Sequence, residues 1–132
     1  MSRIERVITA LESVDNPTWL QGWYLAMCDG DWEHQEGIKI NTLDNPGWSL
    51  HISLHATYLE ELEFERIQIN RSEHDWIHCE RKSFGFEGHG GPLNLNELIG
   101  IFRNWATPTL TVNKAADYGV NRGWFDEMEP NF

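Results

Sequence analysis

Apolar positions follow a helical period at the start of this chain, switch to a period of two in the middle, and return to the helical period near residue 95. Ile4, Val7, Ile8 and Leu11 fall at i, i+3, i+4 and i+7, which predicts an amphipathic helix over residues 2–15 ending near Asp15-Asn16-Pro17. Pro17 suits the first turn of a second helix. Trp19, Leu20, Trp23, Tyr24 and Met27 then keep the helical period until Asp29-Gly30 breaks it. Ile38 and Ile40 next alternate with Lys39 and Asn41, the turn Asp44-Asn45-Pro46-Gly47 follows, and Trp48, Leu50, Ile52 and Leu54 alternate with Ser49, His51, Ser53 and His55. That is an antiparallel hairpin with one wet face. Further strands are predicted at Phe64 to Ile69 and Asp75 to Arg81, with a shorter one around Phe84-Gly85-Phe86. Gly88-His89-Gly90-Gly91-Pro92 leads into a last helix, where Asn94 is placed to cap and Glu97 follows three residues on. Leu98, Ile99, Phe102 and Trp105 form its apolar stripe.

This order predicts an α+β fold: an antiparallel meander sheet of four or five strands flanked by two or three helices, in a single domain spanning 1–132. A chain of 132 residues suits one core that buries roughly two thirds of its extended surface. Past Thr107 the periodicity fades. Leu110 and Val112 suggest a brief strand, and Trp124 and Phe125 are too apolar to be left solvated, so the tail over 107–132 is expected to dock partly on the domain. No internal repeat or low-complexity run is present.

Charge narrows the classes of partner. The chain carries 21 acidic against 10 basic residues, a net charge of −11, and both nucleic acid and anionic membrane would require a basic face. Nine of the acids, Asp29, Asp31, Glu33, Glu36, Asp44, Glu60, Glu61, Glu63 and Glu65, lie between Cys28 and Glu65 against Lys39 alone, so this stretch holds −8 of the −11. A charged partner should therefore be basic. Four of the seven tryptophans, Trp19, Trp23, Trp32 and Trp48, surround the acidic string Asp29-Gly-Asp31-Trp32-Glu33-His34. Large aromatics beside carboxylates suit the centre of a binding interface, yet the same rings suit a core. Helical stripes assign Trp19, Trp23 and Trp105 to the core, whereas Trp32, in the acidic loop, is the expected contact residue.

Cys28 and Cys79 are too few for a disulfide framework and form no C-x-x-C pair, which points to ordinary thiols in a reducing cytoplasm. The first twelve residues have no apolar signal region, and no run approaches 18 apolar residues, so neither export nor membrane insertion is expected.

Asp29-x-Asp31-x-Glu33 opens like a calcium loop, but His34 stands where the closing glycine belongs and Ile40 where the bidentate glutamate belongs. His51 and His55 would lie roughly 13 Å apart along a strand, too far to share one ion, and His74 and His78 meet the same objection. Cys79 should face away from His78, which leaves no local Cys-His pair. Glu87-Gly88-His89-Gly90-Gly91 before a helix is either an anion-holding loop or a plain glycine turn. It lacks the lysine of a phosphate loop and any nucleophile elbow. No cofactor and no metal is expected.

Five blocks, Trp19-Leu-Gln-Gly-Trp-Tyr, Cys28-Asp-Gly-Asp-Trp-Glu-His, Asp44-Asn-Pro-Gly-Trp, Asp75-Trp-Ile-His-Cys and Gly90-Gly-Pro-Leu-Asn-Leu, give the chain a resemblance to the immunity protein 53 family of bacterial polymorphic toxin systems. The resemblance covers Trp19 to Trp105, a family-like core over 17–106. It implies a small cytoplasmic antidote, not an enzyme, that binds a cognate toxin domain encoded beside it. The expected mechanism is occlusion of a basic nuclease cleft by an acidic face, with Asp29, Asp31, Trp32, Glu33, Asp44, Trp48, Glu60, Glu61 and Glu63 as partner-binding residues. A small metal-dependent hydrolase and a ligand-binding module with a tryptophan-lined pocket are the alternatives.

Overall fold

A computed structural model describes residues 13–110. The helix expected over 2–15 lies outside them except for residues 13–15, which are not helical, the docking of the tail lies outside them, and the expected strand at Leu110 and Val112 runs out of them. Helix α1 covers Asn16–Met27, and Asp15 caps it by accepting a hydrogen bond from Thr18 N at 2.9 Å on Oδ1. Helix α2 is one short turn, Trp32–Gln35. Strands β1 (Ile38–Leu43), β2 (Gly47–Ser53), β3 (Ile67–Ser72), β4 (Asp75–Lys82) and β5 (Gly85–Gly90) are followed by α3 (Leu95–Ala106).

The class is as expected, α+β with one five-stranded antiparallel sheet. The strand order is β1-β2-β5-β4-β3, so the meander is interrupted once. After β2 the chain does not turn back to pair. Leu54 and Leu59 are buried and Leu62 and Phe64 pack against the core, which draws residues 54–66 across the end of the sheet. Arg81 holds this crossing by donating from its guanidinium to the carbonyls of Leu59 and Leu62. The expected strand at Phe64 thus begins three residues late, at Ile67. Leu62 and Phe64 alternate with exposed Glu61, Glu63 and Glu65 as a strand would, but against helix side chains instead of a ladder: Phe64 meets Trp105 and Phe86 edge-on, both at 5.3 Å.

The core lies between the sheet and the pair α1 and α3, around Trp19, Trp23, Leu50, Ile52, Ile77, Phe86, Leu98 and Phe102. Two of the three tryptophans assigned to it, Trp19 and Trp23, are buried, while Trp105 is half-buried with its Nε1 donating to Glu63 O. Register places Ser49, His51, Glu87, His89, His78 and Glu80 together on the opposite, wet face.

The glycine run expected as a loop before α3 is the central strand β5. A side chain at Gly88 would bring its Cβ to 3.2 Å from Leu98 Cδ2, so α3 lies close on the sheet at this glycine. Asn94 occupies the capping position of α3, but its side chain makes no capping bond. Its Oδ1 accepts from Trp76 N and Gly91 N, and its Nδ2 donates to Asp75 and Glu97, stitching the helix start to β4.

Candidate functional site

The acidic string after α1 folds upon itself. Asp29 Oδ1 accepts hydrogen bonds from Asp31 N and Trp32 N, both at 2.9 Å, which starts the turn of α2. Glu33 Oε1 accepts from Asp29 N and Gly30 N, and its Oε2 accepts from Gly30 N. Backbone N–H groups, its own first, hold the Glu33 carboxyl below the usual carboxylate range. Two of the carboxylates expected to face a partner therefore shape the loop. Asp31 stays exposed, and Glu36 is half-buried where the loop enters β1.

Trp32 does not present its ring as a contact residue. It is 3% exposed, edge-on to Trp23 at 6.1 Å and tilted on Tyr24 at 5.9 Å, with Nε1 donating to His55 O at 3.0 Å. Its neighbours in sequence are polar, but α1 ends with Trp23 and Tyr24 facing the loop, and an indole inserted there closes the core. The bond to His55 O also joins the acidic loop to the crossing segment, where His55 Nδ1 lies 2.8 Å from Glu60 Oε1. Asp29, Asp31, Glu33 and Glu36 thus share one end of the sheet with Glu60, Glu61, Glu63 and Glu65. Glu61, Glu63 and Glu65 are exposed.

Asp44 and Trp48 belong to the opposite end. Asp44 is exposed in the turn joining β1 to β2, a turn containing the cis peptide Asn45-Pro46, and the length of β2 separates it from His55 by about 20 Å. Trp48 is half-buried, its Nε1 donating to Pro92 O at 3.0 Å. The nine expected contact residues therefore form two groups, not one surface.

At the acidic end one residue that the sequence reading placed inside a strand stands out. Phe84 sits in the β4–β5 turn, 55% exposed, beside Ser83, whose φ of +47° turns the backbone outward. Its carbonyl accepts from Leu54 N at 2.6 Å and its ring lies edge-on to His55 at 5.0 Å. A shallow hollow next to it is lined by Glu36, His51, Ser53 and His55. An exposed ring on an anchored backbone, with Glu36 lining the same hollow and Arg81 and Lys82 just before it in the chain, has the composition of an interface centre with a charged rim. An apolar residue within the turn Lys82-Ser83-Phe84-Gly85 was the available sequence signal.

The model of the family described as Immunity protein 53 matches residues 11–107. The chain belongs to the immunity protein 53 family. That match extends slightly beyond the Trp19 to Trp105 resemblance at both ends. Neither a curated protein nor a solved structure matches the chain.

Elsewhere on this immunity protein 53 domain two histidines have side-chain partners. His51 Nδ1 lies 2.7 Å from Glu87 Oε1 on the wet face, and His78 Nε2 lies 2.9 Å from Asn70 Oδ1. Among the described residues no group of three or more His, Cys, Asp or Glu side chains could hold a metal ion, and no helix is long and apolar enough to cross a membrane. Both thiols are buried. Burial, then the charge of Glu97, pushes the Cys79 thiol up to about 12, and burial with the charge of Glu33 raises that of Cys28. A groove of 720 Å³ between α1 and β1 is walled by Leu20, Tyr24, Ile38, Ile40 and Ile99, with no tryptophan in its lining, while Trp76 lines a smaller hollow with His78, Glu80 and His89.

Proposed function

We propose that this chain is the cytoplasmic antidote to a cognate toxin domain, of the nuclease class, and that it blocks the toxin by seating the acidic end of its sheet in a basic active-site cleft. The observation that carries the reading is Phe84, exposed on an anchored turn next to His55 and Glu36 in a chain of net charge −11. Phe84 supplies the apolar anchor, and Asp31, Glu36, Glu60, Glu61 and Glu63 stand where phosphates would lie. Such inhibition needs exclusion of substrate and complementary charge, and no bond is made or broken by the antidote.

Family membership supports the toxin as partner, and the −8 charge between Cys28 and Glu65 supports a basic one. The test is calorimetric titration of the chain with the toxin domain encoded beside it, at low and moderate salt, with toxin activity assayed in the same mixtures. Stoichiometric binding that silences the toxin and weakens with salt is expected. Absence of binding at both salts refutes the proposal. Binding that is indifferent to salt removes the acidic end from the interface.

A further inference from the structure

The two edges of the sheet are built differently. Strand β3 has a register shift between Asn70 and Ser72, carries Arg71 and follows Arg66, devices that discourage pairing with another chain. Strand β1 has neither a bulge nor a proline within it, its one charged residue is Lys39, set opposite His51, its register with β2 is unbroken over six residues, and four of those six are exposed. Ser53 N donates to Gly37 O at 3.0 Å, which fixes the alternation of the ladder. Gly37, Lys39 and Asn41 therefore turn their N–H and C=O groups toward β2, while those of Ile38, Ile40 and Thr42 point outward. The same three side chains lie on the helix side of the strand. Ile38 and Ile40 line the groove with Leu20 and Tyr24 of α1, and Ile40 is 42% exposed.

We propose that the edge of β1 receives an extended segment of the toxin by strand addition, its alternate apolar side chains entering the groove beside α1. The occupant is specified by charge. Glu36 precedes β1 and Asp44 follows it, so a segment running along the edge meets a carboxylate at each end and should carry Lys or Arg on both flanks of its apolar run. A second copy of the chain is a poor occupant: antiparallel pairing of two β1 edges centred on Ile40 sets Asp44 of each against Glu36 of the other. The proposal rests on the immunity reading and adds to it a second contact region, one that brings Asp44 into the interface although it lies far from Phe84.

Thr42→Pro removes one outward N–H and leaves the bonds to β2 in place, since proline is tolerated at an edge position whose N–H faces solvent. Thr42→Val keeps the donor and is the control. Titrated with the toxin domain, the proline variant should bind about tenfold or more weakly with an unchanged thermal melt, and the valine variant like the parent. Hydrogen exchange on the unaltered chain gives an independent readout, because added toxin should slow exchange at the amides of Ile38, Ile40 and Thr42. Full affinity in the proline variant, or exchange at those three amides unaffected by a toxin that binds, overturns strand addition while leaving the immunity reading intact. Slow exchange at them in the free chain, together with a dimeric mass, overturns it in favour of self-pairing. No binding by the unaltered chain overturns both.

Discussion

Replacing Trp32 separates a structural role from a contact role. The indole is 3% exposed, lies against Trp23 and Tyr24, and donates one hydrogen bond to His55 O. Trp32→Phe keeps one ring but loses that bond and part of the buried volume, which should cost about 1–2 kcal/mol. Trp32→Ala empties the site and should cost about 3–5 kcal/mol. Against a total of about 5–15 kcal/mol for a domain, the alanine variant loses a large fraction of its stability, and the phenylalanine variant should melt about 5–10 °C lower. Urea unfolding followed by far-ultraviolet circular dichroism gives both values, and toxin affinity is measured at a temperature where each variant is folded. The expected result is a stability loss in the order Ala, then Phe, with the phenylalanine variant still neutralising the toxin. A phenylalanine variant with parental stability and sharply weakened binding would refute the buried-anchor account and restore Trp32 as a contact.

Phe84→Ala should leave the melt nearly unchanged, since the ring is 55% exposed, and should weaken toxin binding by about tenfold or more as the loss of an aromatic anchor, read by calorimetry. Reversing Glu60, Glu61 and Glu63 to lysine should slow association and flatten its salt dependence, measured by stopped flow; unchanged low-salt rates would take the cluster out of the encounter. The Cys79 thiol, pushed up to about 12 from an ordinary 9.0, should show thiolate absorbance in the folded protein only near that pH. Because the unfolded thiol ionises first, stability should fall as pH rises from about 9 toward 12, and Cys79→Ala should lessen that fall after correction for its cavity. Glu33 has the opposite sign: its carboxyl is held low in the fold, so its contribution is present above the ordinary carboxylate range and lost as pH falls through the depressed value. Glu33→Gln should therefore shallow the acid limb of the stability profile.

Local periodicity determined most of the elements. The stripe from Trp19 to Met27, the alternation on either side of Asp44-Asn45-Pro46-Gly47, and the stripe from Leu98 to Trp105 are properties of neighbouring residues, so α1, the β1–β2 hairpin and α3 were legible without any partner segment. The concentration of nine carboxylates between Cys28 and Glu65 was equally plain. What the sequence could not decide depended on who sits beside whom. The same alternation that makes β1 a strand leaves Leu62 and Phe64 off the sheet, because their rings and methyls meet Trp105 and Phe86 before any ladder forms. Glycines that read as a loop became the central strand, paired on one side with β2 and on the other with β4. Trp32, polar by company, was drawn inside by Trp23, Tyr24 and a carbonyl 23 residues away, while Phe84, equally apolar itself, was left outside on a two-residue turn. Composition and short-range period are carried by the chain itself, but burial is a relation between segments distant in sequence, and only their packing assigned each aromatic to core or surface.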